Sequence, residues 1–270
     1  MLKLTNIHKT FFSGTANEVH ALRGLNLEVP EGSFSLILGG NGSGKSTLLN
    51  AIAGSFLLDS GEIELDGQRL TNWPEHRRAR LIGRVFQNPF AGTAPGMTIA
   101  ENLSLASRRG RTRGLGSALP ARDVREMRER VSQLRMGLED RLSNPIGSLS
   151  GGQRQALTLL MAAWLKPALL LLDEHTAALD PKSAEQVVRL TEEVITRYGL
   201  TTLMVTHSMQ QAVNLGQRII MMHQGSIAFQ FEGAEKRRLA VSDLLARFDE
   251  LRRRDMFDES VAALLHGTYC

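Results

Sequence analysis

Phe34-Ser35-Leu36-Ile37-Leu38-Gly39-Gly40-Asn41-Gly42-Ser43-Gly44-Lys45-Ser46-Thr47 decides the reading of this chain. The first five residues, apolar except at Ser35, read as a strand buried on both faces of a sheet. A glycine-rich turn follows, and a helix is expected from Lys45 to about Ala53. The turn fits the pattern G-x-x-x-x-G-K-[ST]: Gly39, Gly44, Lys45 and Ser46 hold the fixed positions, with Gly40, Asn41, Gly42 and Ser43 between them. Glycines there let backbone N–H groups converge on phosphate oxygens, and the helix N-terminus adds partial positive charge. In this pattern Lys45 reaches the β and γ phosphates and serves turnover, the Ser46 hydroxyl ligates Mg²⁺, and Thr47 adds a phosphate contact. By itself the loop says only nucleotide.

Composition bounds the rest. With 270 residues, 42% hydrophobic and 22% charged, the chain is neither disordered, collagen-like nor a disulfide scaffold. A net charge of +4 names no partner, and aromatics at 5% give a nucleic-acid stacking platform little to use, so no nucleic-acid partner is expected. The single cysteine, Cys270, forbids an intramolecular disulfide and points to a reducing compartment. The longest apolar run, Ala156 to Leu172, is broken by Lys166 and Pro167, and Met1 to Asn6 lacks a secretory core. A cytoplasmic chain that meets a membrane only through partners is therefore expected.

Around the loop, strands are expected at Leu2 to Ile7, Val19 to Val29, Gly83 to Phe86, Leu169 to Leu172, Thr201 to Val205, Ile219 to Met222 and Ile227 to Phe229. Amphipathic helices fit Ser183 to Tyr198 and Met209 to Leu215. Strands alternating with helices mean an α/β fold around a parallel sheet. From about 88 to 165 the texture turns Arg-rich and helix-permissive, which reads as a helical subdomain. Within it Arg108 to Arg122 looks like a loop; a solvated face explains its arginines better than phosphate or lipid contact, because Asp123, Glu126 and Glu129 soon intersperse the charge. Residues 1–232 read as one nucleotide-binding domain and 233–270 as a C-terminal helical appendage.

Two further motifs carry chemistry. Asp173-Glu174 follows four leucines at a strand end, which places one carboxylate to hold Mg²⁺ and its neighbour, Glu174, to orient and deprotonate an attacking water. Leu149-Ser150-Gly151-Gly152-Gln153 opens a helix, a second anion-binding N-terminus. Five fixed letters arise by chance on the order of once in a million positions. With this LSGGQ the chain resembles the ATP-binding cassette (ABC) ATPase family, from about Leu2 to Phe229.

The resemblance implies a phosphate-loop ABC nucleotide-binding domain: a parallel-sheet core, an antiparallel β subdomain and a helical signature subdomain. It implies ATP and Mg²⁺ as ligands and a head-to-tail homodimer, in which Ser150, Gly151, Gly152 and Gln153 of one copy close on the ATP held by the other. Gln87 matches the glutamine that senses Mg²⁺ and the γ-phosphate and faces a permease, Asp180 the loop linking two active sites, and His207 the histidine that contacts the γ-phosphate. Phe11 aligns with the aromatic that stacks on adenine. The family pattern also implies separate transmembrane permease subunits, docked near Gly83 to Asn102, and a cassette peripheral to the cytoplasmic face of the inner membrane. Segments such as Gly14 to Val19, Pro74 to Arg78 and His207 to Gln211 look like importer ATPases paired with periplasmic or lipoprotein binding proteins, often for amino acids. Exporter subunits and soluble assembly ATPases are the alternatives. Two positions depart from the pattern: Gly40 and His175 stand where proline is common. A titratable His175 beside Glu174 offers a route to pH-sensitive turnover, but a harmless surface or packing substitution is the preferred reading.

Overall fold

Four consecutive apolar strands explain the architecture, because each sends alternate side chains to opposite faces. In β3 (Phe34–Gly39), Leu36 and Leu38 join one core and Ile37 the other. The same split divides Leu170 and Leu172 from Leu169 and Leu171 in β7 (Leu169–Asp173), and Met204 from Leu203 and Val205 in β8 (Thr202–Val205). In β9 (Arg218–His223), Ile219 and Met221 face one way, Ile220 and Met222 the other. A sheet covered on both sides requires this uniform apolarity. The computed structural model describes residues 1–110 and 119–268, with side chains as far as 254.

With β6 (Ile82–Val85) and β10 (Ser226–Glu232) these strands make a six-stranded sheet in the order β10-β9-β3-β8-β7-β6, parallel except for β10. One face packs on α1 (Lys45–Ala53) and a second sheet, β1 (Leu2–Phe11), β2 (Val19–Val29), β4 (Ser60–Leu65) and β5 (Gln68–Arg69), antiparallel in the order β2-β1-β4-β5. The last two strands were not anticipated, because charges alternate along Ser60 to Leu65 and only Ile63 and Leu65 reach the core. Their turn, Asp66-Gly67 with φ of 50° and 73°, carries the Asp-Gly hairpin signal.

The opposite face is covered by the helices. After the single turn α2 (Glu75–Arg78) come α3 (Ile99–Ser107), α4 (Ala121–Ser132) and α5 (Gly151–Ala163), then α6 (Pro181–Tyr198) and α7 (Met209–Asn214). α6 begins two residues before the expected Ser183, since Asp180 caps it and Pro181 suits its first turn. Residues 111–118 of the Arg-rich stretch lie outside the described residues. At its edges Arg108 pairs with Asp123 at 4.0 Å and Arg109 donates to the Ala162 carbonyl, contacts of a structural kind. The chain closes with α8 (Gly233–Arg238) and α9 (Val241–Thr268); Leu244 and Leu251 of α9 are buried in the helical-side core. Among the described residues no helix is long and apolar enough to cross a membrane.

Candidate functional site

The phosphate loop leaves β3 at Gly39 and enters α1 at Lys45. Gly44 sits at φ +97°, and a Cβ there would lie 2.5 Å from the Ala21 carbonyl, so the position admits only glycine. Gly40 has open space around it, and glycine in place of proline costs the loop no contact. The Lys45 ammonium donates to the carbonyls of Gly39 (2.9 Å) and Gly40 (2.8 Å), and burial lowers its pKa while Glu174 and Asp173 pull it back up. The Ser43 hydroxyl is buried without a partner in the same turn. A loop with a buried cation, an unpaired hydroxyl and a helix N-terminus suits a phosphate group.

At the next strand end the Ser46 hydroxyl donates to Asp173 Oδ1 at 3.3 Å. Burial pushes the Asp173 carboxyl up, opposed chiefly by the Arg84 guanidinium. The described residues contain no cluster of three His, Cys, Asp or Glu that would cage a metal. One carboxylate and one hydroxyl are what Mg²⁺ needs when phosphates and water complete its shell, so these hard oxygens fit that ion.

Glu174 stands in the left-handed region at φ 45°, its N–H donating to the Val205 carbonyl. This aims the carboxylate between two loops: Oε1 lies 2.5 Å from His207 Nε2, and Oε2 accepts from Gln87 Nε2 at 3.2 Å. Gln87, Glu174, His207, Lys45, Ser46 and Asp173 are thus gathered at the C-terminal ends of parallel strands, where ligands of open α/β sheets bind.

The signature residues form a second cluster. The Ser150 hydroxyl accepts from the Gln153 N–H (3.3 Å) while Gln153 Oε1 accepts from the Ser150 N–H (3.2 Å), a reciprocal capping box at the start of α5. A Cβ on Gly151 would crowd Leu179 and one on Gly152 would sit 2.9 Å from Ser183 Cβ, so both glycines press against the start of α6. There Asp180 Oδ1 accepts from the Ser183 N–H at 3.0 Å, and hydrogen bonding by Ser183, its side chain first and its backbone second, lowers the Asp180 pKa. Among the described residues no hydrogen bond or ion pair joins Ser150–Gln153 to residues 39–47 of the same chain. Phe11 packs edge-on against Phe56 with centroids 5.3 Å apart, whereas Phe12 is exposed. Phe11 pairs with Val19, two residues along β2 from the Ala21 that touches Gly44, so the hairpin end lies beside the loop.

His175 takes the packing role and not that of a pH switch. The ring is fully buried, and Nε2 bonds Thr191 Oγ1 at 3.0 Å. Thr191 spends its own proton on the Val187 carbonyl, so Nε2 carries the hydrogen, and desolvation lowers the His175 pKa to about 4. The imidazole is neutral at working pH and packs β7 against α6.

Sequence reasoning passed over Arg84, whose guanidinium lies 3.9 Å from Asp173 Oδ2. A lone arginine in a buried strand was the available signal. Within the stretch read as a helical appendage, nothing in the sequence signals that Phe248 and Arg252 of α9 border a cavity of about 190 Å³ shared with Gly39, Gly40 and His207. A larger groove of about 900 Å³ runs between the sheet edge at Ile82 to Phe86 and the helical subdomain at Asn102 and Thr158.

A phosphate loop, an acidic strand end and a second glycine-rich helix start define a nucleotide-hydrolysing cassette. The family model for ABC transporters matches residues 22–177, and the chain belongs to that family. It is 39% identical over 249 residues to a tyrosine transport ATP-binding protein of Clostridioides difficile (strain R20291), covering 92% of this chain and 99% of the relative. It is 36% identical to an aliphatic sulfonates import ATP-binding protein of Agrobacterium fabrum (strain C58), covering 82% and 76%. Among solved structures it is similar to a dimeric ATP-binding cassette in a post-hydrolysis state bound to ADP and Pi, with a TM-score of 0.74, 30% identity and coverage of 86% and 98%. This chain is therefore the ATP-binding subunit of an ABC transporter, an ATPase that uses ATP and Mg²⁺.

Proposed function

We propose that this subunit powers the import of a small solute of the amino-acid class, as a homodimer beneath separate transmembrane permease subunits fed by a periplasmic or lipoprotein binding protein. The name of the sulfonate import relative supports import, and that of the tyrosine transport relative supports a solute of the amino-acid class. Domain limits follow the same reading: residues 1–232 are the cassette, with a helical subdomain at about 88–165, and 233–270 the appendage. The cassette lies against the cytoplasmic face of the membrane through its permease.

One observation carries the chemistry: the Glu174 carboxylate is bracketed by His207 and Gln87 next to the Ser46–Asp173 pair. Residues Gly39 to Gly44 and Thr47 hold phosphate oxygens by backbone and side-chain donors, and Lys45 leaves its two carbonyls to meet the β and γ phosphates. Ser46, Asp173 and Gln87 hold Mg²⁺, which when bound offsets phosphate charge. Glu174 accepts the proton of the attacking water, and His207 orients the γ-phosphate. Phe11 stacks on the adenine. Ser150 to Gln153 and Asp180, remote from their own chain's loop in bonding, serve the nucleotide of the partner copy. The groove lined by Arg84, Phe86, Thr93 and Asn102, within the expected Gly83 to Asn102 surface, receives the permease.

The test is to pull down tagged Glu174→Gln chain with ATP from detergent-solubilised membranes. Recovery of a polytopic permease with a lipid-anchored or periplasmic binding protein supports import. A permease recovered without any binding protein, or soluble partners alone, overturns it.

A further inference from the structure

Ser46 and Asp173, the two side chains assigned to Mg²⁺, sit on different elements, α1 and β7, and something must set the distance between them. Ser46 and Asn50 are four residues apart on α1, hence on one helix face. Asn50 Oδ1 accepts from the Arg84 guanidinium at 2.5 Å, which also reaches the Ser55 hydroxyl just beyond α1 at 3.3 Å. The same guanidinium lies 3.9 Å from Asp173 Oδ2, while Ser46 bonds Asp173 Oδ1 at 3.3 Å. Ser46, Asp173, Arg84 and Asn50 thus close a ring that spans β6, β7 and α1.

We propose that Arg84 is a positioning residue for the Mg²⁺ site: it clamps α1 to β7, so that the Ser46 hydroxyl and the Asp173 carboxylate meet the ion at a fixed separation. The inference rests on reading Ser46 and Asp173 as the Mg²⁺ ligands. The clamp suits arginine, whose planar fork serves two neutral acceptors and a carboxylate at once, as lysine does not. Stacking on the Phe86 ring at 4.4 Å fixes the plane of that fork. At 3.9 Å the guanidinium offsets the Asp173 charge without a close bond to it, leaving the carboxylate lone pairs for a metal. Burying a guanidinium is costly, and here its Nε is left without a partner, a cost expected where position matters. Mg²⁺ is the ion for which such setting counts, because it demands near-ideal octahedral geometry at short distances.

The experiment measures binding of a fluorescent ADP analogue to the full chain in EDTA and in Mg²⁺, with circular dichroism to check folding. The expected result is that Arg84→Met keeps its EDTA affinity while losing about tenfold or more of the Mg²⁺ enhancement, the usual scale for residues that orient metal ligands. Arg84→Lys falls between Arg84→Met and wild type. Asn50→Ala opens the ring without removing the buried charge, so it carries the same test if Arg84→Met does not fold, and it too should lose Mg²⁺ enhancement. An enhancement unchanged in Asn50→Ala and in a folded Arg84 variant overturns the clamp, provided Asp173→Asn abolishes it. Enhancement that survives in Asp173→Asn overturns the ligand assignment itself, and the clamp with it.

Discussion

Glu174 shows how much a single backbone angle contributes to this site. At φ 45° it occupies a region that non-glycine residues enter at a cost, and there its carboxylate meets His207 and Gln87. Glu174→Gln keeps the shape and removes the base, so ATP binds while steady-state hydrolysis falls by roughly a hundredfold or more, as expected for loss of general-base catalysis. A variant that hydrolyses ATP at the wild-type rate ends that assignment. Gly44→Ala is expected to abolish nucleotide binding in the same fluorescence assay, since its Cβ meets the Ala21 carbonyl at 2.5 Å in a left-handed backbone. His175 makes a prediction about stability rather than rate. Its pKa falls from the ordinary 6.5 to about 4 on folding, so between those values the unfolded chain binds a proton that the folded chain refuses. Stability therefore drops as pH falls through that window, by about 3 kcal/mol. Urea melts from pH 7 to 4 should show a shallower loss in His175→Asn, while pH–rate profiles of the two proteins coincide from pH 6 to 8.

At the scale of elements, the motif helices and strands were legible because each carries its own punctuation. The α1 limits, Lys45 to Ala53, follow from the loop before it and the left-handed Gly54 after it. Ser150 and Gln153 spell a capping box three residues apart, and Ser150→Ala is expected to cost about 1 kcal/mol in a denaturant melt. The β4–β5 hairpin escaped because the charged Glu62, Glu64 and Arg69 face solvent and leave only Ile63 and Leu65 for the core, although Asp66-Gly67 announced the turn. For α9 only the packing was hidden. Its apolar positions read as helix, but nothing in their order says that Phe248 and Arg252 border a cavity shared with Gly39 and His207. Leu244, fully buried in the helical-side core, ties the helix down; Leu244→Ala is expected to destabilise the fold by about 2–5 kcal/mol in the same measurement.

For the whole molecule, the separation of two clusters matters most. The loop, Asp173, Glu174, Gln87 and His207 meet at one sheet end, while Ser150 to Gln153 press with Leu179 and Ser183 into another corner. If the second cluster serves a partner's nucleotide, Glu174→Gln chain should run as a monomer without nucleotide and as a dimer with ATP on size exclusion. A monomer under both conditions contradicts that division of labour. What the sequence determined by itself is the chemistry: glycines where only glycine fits, a lysine and serine at a helix start, and paired acids after a buried strand, all local patterns a few residues long. Tertiary structure alone decided which distant groups touch. It buried His175 against Thr191, brought Arg84 from β6 to Asp173 and Asn50, and laid α9 beside the phosphate loop. The physical reason is that periodicity and motif spacing report a residue's own element, whereas burial, pKa and pairing depend on neighbours that only packing supplies.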